Sequence, residues 1–504
     1  MSFWENIKGR SFFIGEIFSI TETKETDGKS MKQTSDKIYK NRMIILINIV
    51  LMTFMATLDS SIVNVALPTI SEDLSVSTEA IAWVVSSYLL VIVGTILIFG
   101  RLGDIKGKTN IFMYGIVIFT FGSLLCGLAD NFLFLIVARV VQAIGASAAM
   151  ATNQGIITQV FPSNERGKAL GISSTFVALG SMAGPPIGGL MIASFHWKYI
   201  FLINVPIGIL VFVLGLKTLP KAKVSTEERL DKPGSVLFGV FIASLFGTLI
   251  MGEENGYGSP AILTGFLISL LSFILFIVVE KKTEVPLLQL KLFENRLFSL
   301  SLFCAFISYL AISSTTIIQP FYLQNTLKYS PAITGIIMMV YPLVMSIIAP
   351  ISGYVSDRIG SELLTFLGLV LDSIGLLLMS TLNEFSPLYL LIIYVSIMSV
   401  GNGLFQSPNT SLIMSNAPRN MLGISGSVNA LIRNLGMISG ISLSVLILYN
   451  RMSRKIGGNV SNYVEGRDDV FVYGMRGAYM AAAAICAVGA LLTAFRLYHK
   501  RKRS

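Results

Sequence analysis

The chain has 504 residues, of which 53% are hydrophobic and only 13% charged. Soluble globular domains carry about 25% charged residues, so the composition excludes an ordinary soluble domain and points to a polytopic membrane protein. The formal net charge of +10 could suit nucleic acid, but its placement in inter-helix loops and at the C-terminus favours an anionic membrane surface, with no nucleic-acid partner.

Windows of about 20 apolar residues predict an all-α membrane protein with fourteen spans, near 43–67, 79–99, 110–128, 132–155, 169–193, 197–216, 234–251, 261–279, 297–323, 332–355, 362–382, 387–413, 421–447 and 476–496. Residues 1–42 form a polar tail without the apolar core of a signal peptide. The predicted division is this tail, a six-helix bundle over 43–216, a linker with two extra helices over 217–296, a second six-helix bundle over 297–496 and a basic tail over 497–504.

The first helix contains Leu58-Asp-Ser-Ser-Ile-Val-Asn-Val-Ala-Leu-Pro68. An intramembrane carboxylate is expensive, so Asp59 is a functional candidate by default. Asn64 adds a polar group to the same helix. Between the second and third helices runs Gly100-Arg-Leu-Gly-Asp-Ile-Lys-Gly-Lys-Thr109. It is one residue short of a phosphate-binding loop, with Leu102 where the first glycine belongs and no strand before it. A tight turn fits better, with Asp104 near the positive end of the third helix and nearby cations able to latch the halves. Gly100, Asp104, Gly107 and Lys108 are the gate-loop candidates. The fourth helix carries Arg139 and Gln142. Counted from the predicted helix ends, Asp59 and Arg139 lie about 10–12 Å deep, which makes a buried pair possible. A neighbouring cation keeps a carboxylate ionised whereas desolvation favours its protonated form, the chemistry that proton coupling needs. A static salt bridge that only positions two helices is the alternative.

The fifth helix reads Leu170-Gly-Ile-Ser-Ser-Thr-Phe-Val-Ala-Leu-Gly-Ser-Met-Ala-Gly-Pro-Pro-Ile-Gly-Gly189. Five glycines and two prolines would cripple a soluble helix. In a membrane, small residues let backbones approach and neighbours satisfy the groups that proline frees. In the second half, Gln319, Tyr322, Tyr341 and Met345 offer polar, aromatic and soft groups, and Asn402, Gln406 and Asn409 form a polar stripe at i, i+4, i+7. Together with Asn64 and Gln142 of the first half, such residues suit an adaptable substrate cavity. Asp372 and Arg433 lie in the eleventh and thirteenth helices, where they either pair or act separately.

The halves repeat. A shift of 252 lays Leu170-Gly-Ile-Ser173 on Leu422-Gly-Ile-Ser425, Gly184 on Gly436 and Gly188 on Gly440, and puts Arg433 at the place of Ser181. A shift of 253 lays Gly100, Asp104 and Gly107 on Gly353, Asp357 and Gly360. Parallel duplication around a central pathway is a transporter architecture. Between residues 101 and 419, basic residues crowd the loops on one side and leave only Lys198 and Lys328 on the other, which places both termini in the cytoplasm. Arg451, Arg454, Lys455, Arg467 and Arg476, near the last outer loop, run against this rule. Cys126, Cys304 and Cys486 are scattered in apolar stretches, and His196 and His499 lie outside helix centres. No disulfide framework, metal site or cofactor is expected from them, and a membrane enzyme would need a cluster of His, Asp or Cys that the sequence lacks.

These motifs resemble the major facilitator superfamily, in particular its fourteen-helix branch of drug/proton antiporters. The resemblance spans roughly 43–496. It rests on the first-helix signature (Leu58, Asp59, Ile62, Val63, Asn64, Ala66, Leu67, Pro68), the loop signature (Gly100, Leu102, Asp104, Gly107, Lys108) and the fourth-helix signature (Arg139, Gln142, Gly145). The antiporter signature is met at Gly171, Gly180, Gly184, Pro185, Gly188 and Gly189. Ser61, Ile105 and Ala143 depart from the usual residues. The resemblance implies a major facilitator fold and export of small amphipathic or cationic compounds by alternating access, in exchange for protons, by a monomer in the cell membrane. Asp59 and Arg139 would belong to the coupling machinery, and Asp372 and Arg433 are candidates beside them. The 100–109 loop would gate the cytoplasmic side, and the fifth helix would control leakage. Export of a lipid or metabolite is the rival on the same scaffold; a non-transporting sensor would need neither paired intramembrane charges nor duplicated helices.

Overall fold

The structure is a computed structural model that describes residues 41–220, 230–255, 258–283, 286–418 and 422–501. Most of the N-terminal tail, the residues Lys221, Lys223 and Arg229 of the linker, Arg419 and the last three residues therefore lie outside the described residues. Regular structure among the described residues is helical throughout, and fourteen helices are long and apolar enough to cross a membrane. They are α1 (Arg42–Asp73), α2 (Trp83–Lys106), α3 (Lys108–Gly127), α4 (Phe132–Val160), α5 (Ser163–Ser194) and α6 (Tyr199–Leu202 continued by Asn204–Thr218), then α7 (Lys232–Asn255) and α8 (Pro260–Lys282). The second set is α9 (Arg296–Phe321), α10 (Pro331–Met338 continued by Val340–Ile359), α11 (Ser361–Met379), α12 (Leu388–Ser415), α13 (Leu422–Ile456) and α14 (Asp468–Arg501).

Several helices overrun the predicted spans, because hydropathy windows stop at the first charges while backbone hydrogen bonding does not. The first helix passes Pro68 and continues to Asp73. A proline removes one ladder bond, and the surrounding helices hold the remainder in place. The thirteenth continues to Ile456, so Arg451, Arg454 and Lys455 are helical rather than loop residues. Their charges are absorbed locally: Lys455 bonds Asp469 at 2.7 Å, and Arg451 stacks on the Tyr473 ring at 4.5 Å.

The helices α1–α6 pack among themselves, as do α9–α14, and α7 and α8 pair with each other while α7 also rests on α2 and α13. The extra pair thus sits beside the seam between the two sets. Its ends are tied by carboxylates. Asp231 Oδ1 accepts from the Gly234 amide at 2.9 Å and so caps α7, while Glu280 accepts from the Leu287 and Leu288 amides at 3.2 and 3.0 Å.

The duplication is visible in backbone geometry. Gly107 and Gly360 start α3 and α11 at φ +89°, ψ 127° and φ +92°, ψ 145°, a region that favours glycine. The α3/α4 crossing is copied in α11/α12. A Cβ on Gly115 would lie 2.8 Å from the Gly145 carbonyl oxygen, and one on Gly368 would lie 2.7 Å from that of Gly401. Cβ atoms on Gly145 and Gly401 would strike the backbone nitrogens of Phe119 and Asp372, at 2.2 and 2.5 Å. Asp372 therefore occupies in the second set the place of Phe119 in the first.

Candidate functional site

Five helices converge on Asp59. Its Oδ2 takes the Arg139 Nη1 at 2.7 Å, and its Oδ1 accepts from Gln142 Nε2 and Asn204 Nδ2, both at 2.8 Å. Arg139 donates further to Gln142 Oε1 at 2.6 Å and through Nε to the Val84 carbonyl at 3.0 Å. Its guanidinium lies 4.1 Å from the Tyr88 ring centroid. Gln142 Nε2 also reaches Ser123 Oγ at 2.8 Å. Asp59, Arg139, Gln142 and Asn204 are all fully buried. The result is a closed charge cluster in which both carboxylate oxygens and the arginine Nε and Nη1 are engaged, so the ion pair is held in one geometry. Gln142, expected from the sequence to line a cavity, is enclosed within this cluster. Asn204 and Ser123 were missed; Asn204 was visible only as a polar interruption in the apolar run Phe201-Leu-Ile-Asn-Val205.

The acid of the second set stands in contrast. Asp372 is buried, and among the described residues it has no ion-pair partner. Asn402 Nδ2 approaches its Oδ2 at 3.5 Å and bonds Ser308 Oγ at 2.9 Å. Asp372 Oδ1, Asn402 Oδ1 and the Tyr341 hydroxyl are buried without hydrogen-bond partners. Arg433 forms no ion pair with Asp372 among the described residues; it lies near Tyr309. Asn409, farther along the predicted stripe, donates to the Ser301 carbonyl at 3.0 Å. Gln406 and Met345 are partly exposed. Asn64 and Gln319 are buried with one unpartnered side-chain atom each. Tyr322 is fixed by donation to the Asn383 carbonyl at 2.7 Å.

The α2–α3 turn is short. Asp104 lies in the last turn of α2 and bonds Lys108, in the first turn of α3, at 2.5 Å, so a cation of its own turn neutralises it. The aliphatic stem of Lys108 lies over Gly155 of α4, where a Cβ would come within 2.4 Å of its Cε. Gly100 faces open space.

The glycines of α5 form a contact ridge. Cβ atoms on Gly180, Gly184 and Gly188 would fall 2.2 Å from Thr57 Oγ1, 1.8 Å from Ser61 Oγ and 2.6 Å from Ile62 Cγ1, all on α1. Gly171 lies earlier in the same helix. An adjoining face of the same stretch meets a different partner. Gly189 meets the Pro331 carbonyl oxygen at 2.4 Å from its notional Cβ, and Gly335 meets that of Pro185 at 2.1 Å. The signature's end thus abuts α10, in the other helix set. In α13, Gly436 and Gly440 abut the Phe306 and Leu310 carbonyls of α9, repeating the α5–α1 contact.

The two sets interlock on the face opposite the Gly107 and Gly360 turns. There Gln324 Nε2 donates to the Val65 carbonyl at 3.0 Å. Thr78 hydrogen-bonds Tyr449 through its hydroxyl and Asn462 Oδ1 through its amide, the latter at 3.0 Å, and the Glu79 amide reaches the Ser461 carbonyl at 3.2 Å. The α13–α14 connection therefore clasps the start of α2. On the turn face, the sets approach where Gly426 meets the Gln154 side chain.

Comparisons with known proteins agree with this architecture. The chain is 38% identical over 462 residues to riboflavin transporter RibZ of Clostridioides difficile, covering 90% of this chain and 98% of that one. It is 34% identical over 461 residues to the uncharacterised transporter YebQ of Escherichia coli, covering 91% and 96%, and 28% identical to multidrug resistance protein Stp of Mycobacterium tuberculosis, covering 80% and 75%. In fold it is similar to a bacterial homologue of the lysosomal transporter Spinster, with a TM-score of 0.62 at 16% identity over 90% and 96% of the two chains. A peptide transporter of the POT family gives a TM-score of 0.66 at 14% identity over 91% and 96%. The model of the Major Facilitator Superfamily matches residues 49–441, and the chain belongs to that family of multi-pass membrane transporters.

Proposed function

We propose that this transporter exports small amphipathic or cationic compounds from the cytoplasm in exchange for protons, with both termini on the cytoplasmic side. The observation that carries the reading is the pair of buried acids, Asp59 and Asp372, one in each helix set and in contrasting surroundings. Intramembrane acids are costly and mark ion or proton pathways. Asp59, Arg139, Asp372 and Arg433 form the coupling set. The glycine ridge of α5, which ends against α10, closes the outer side while the turn face opens, and the 100–109 turn governs the cytoplasmic side. The relation to multidrug resistance protein Stp supports a broad substrate range.

A second reading is favoured by the 38% identity to a riboflavin transporter: the cargo is a single flat heteroaromatic metabolite. Energised everted vesicles loaded with a pH-sensitive dye separate the two. Addition of ethidium, tetraphenylphosphonium or a fluoroquinolone should dissipate the proton gradient only when the transporter is present. If riboflavin alone does so, the metabolite reading replaces the multidrug one; if no compound does, proton-coupled export fails.

A further inference from the structure

The two buried acids differ in what neutralises them. Around Asp59 a guanidinium at 2.7 Å supplies a full positive charge, and amide donors from Gln142 and Asn204 at 2.8 Å complete the shell. Around Asp372 no cation is present among the described residues. Facing it are Asn402 from α12 at 3.5 Å, Ser308 of α9 through Asn402, Tyr341 of α10 and Cys486 of α14. Arg433 neighbours Tyr309, which in turn neighbours Tyr341. A carboxylate buried without a counter-charge persists only if a proton or a cation neutralises it.

Three orphaned polar atoms fit a proton. Asp372 Oδ1, Asn402 Oδ1 and the Tyr341 hydroxyl are buried and unpartnered. A protonated Asp372 becomes a donor, and the Asn402 amide, turned so that its oxygen faces Asp372 and Ser308, accepts from both. When Asp372 loses its proton, Asn402 turns its NH2 back, and a small movement of α10 lets the unpartnered Tyr341 hydroxyl donate as well. Each protonation state thus has its own hydrogen-bond pattern, drawn from residues on three helices, α9, α10 and α12. Asp59 has no such alternative, because a proton there would displace a bond already made.

We propose that Asp372 is the residue that binds and releases the coupling proton, while Asp59 serves as the fixed partner of Arg139. The inference rests on the proton-coupled reading above and names the acid within it. In the step itself one proton adds to the Asp372 carboxylate and leaves again after the helices have moved. No other covalent bond is made or broken; only the hydrogen bonds around Asn402 rearrange.

Infrared difference spectroscopy of the purified, reconstituted protein between acid and alkaline pH tests the assignment without a substrate. The wild type should show the carbonyl stretch of a buried carboxylic acid that vanishes at alkaline pH. Asp372→Asn should lose that band, Asp59→Asn should keep it, and Asp372→Glu should restore it at a shifted frequency. Tyr341→Phe, which leaves the acid in place, should move the midpoint of the band's titration. Loss of the band in Asp59→Asn with retention in Asp372→Asn would overturn the assignment, as would a wild type without the band. So would suppression of the band by sodium against choline, which would make the bound cation sodium. Dye dissipation in vesicles is read separately, so proton-coupled export can stand while this assignment falls.

Discussion

Arg139 shows how much one side chain can hold. It closes contacts with α1 and α2 and stacks on Tyr88, all within a fully buried cluster. Removing one member of a buried ion pair strands the other, at about 3–5 kcal/mol. Arg139→Leu should therefore lower thermal stability in detergent by that order, and Asp59→Asn combined with Arg139→Leu should recover more than half of the loss. Thermal unfolding followed by tryptophan fluorescence checks both; equal destabilisation in the single and double variants would show that the charge pairing is not the source. The pair itself was legible, since both residues stood out as charges inside apolar spans. Asn204 and Ser123 were not, because a neutral polar residue in an apolar helix gives no hint of which neighbour it serves. Arg433 and Asp372 could not be paired or separated from sequence, for spacing along two helices does not fix which faces meet. The answer depends on Tyr309, which no motif marked.

At the scale of helices, glycine placement decides which surfaces touch. Notional Cβ atoms on Gly440 and Gly94 separate two cases: the first would lie 2.2 Å from the Leu310 carbonyl oxygen, and the second meets nothing within 4 Å. Gly440→Ala should cost about 1–3 kcal/mol through forced backbone displacement, whereas Gly94→Ala should be neutral or stabilising by up to about 1 kcal/mol from helix propensity. Paired melting curves for the two variants would contradict this if their order were reversed. The periodic glycines of α5 and their copies in α13 were readable from the internal repeat. That α5 also presents Pro185 and Gly189 to α10 was not, since this contact depends on how the two sets tilt together. Helix ends were the least legible part: charges at Arg451 and Lys455 stopped the window, although the helix runs on to Ile456 and tertiary contacts satisfy them.

For the whole molecule, the interlocked face opposite the Gly107 and Gly360 turns sets the resting state. Gly335 against the Pro185 carbonyl and the Thr78–Asn462 and Glu79–Ser461 bonds bind the two helix sets there. The proposed export by alternating access requires those contacts to break. A disulfide formed between Thr78→Cys and Asn462→Cys should abolish transport and be reversed by reductant, while Gly335→Ala should speed modification of a cysteine probe at position 64. Unchanged transport in the cross-linked protein would exclude this clasp as a moving part. The basic residues that defied the charge rule belong to this region, where Asp469 and Tyr473 hold several of them. Loop charge counts treat such residues as free, which is why the sequence offered no reason for them. The central claim, exchange of substrate for protons, is tested most directly in proteoliposomes containing this protein alone, with a pH gradient imposed and the membrane voltage clamped. Ethidium should accumulate against its concentration gradient in the compartment that supplies protons, and a protonophore should abolish the accumulation. Transport of ethidium and riboflavin that is indifferent to the imposed gradient would contradict the account.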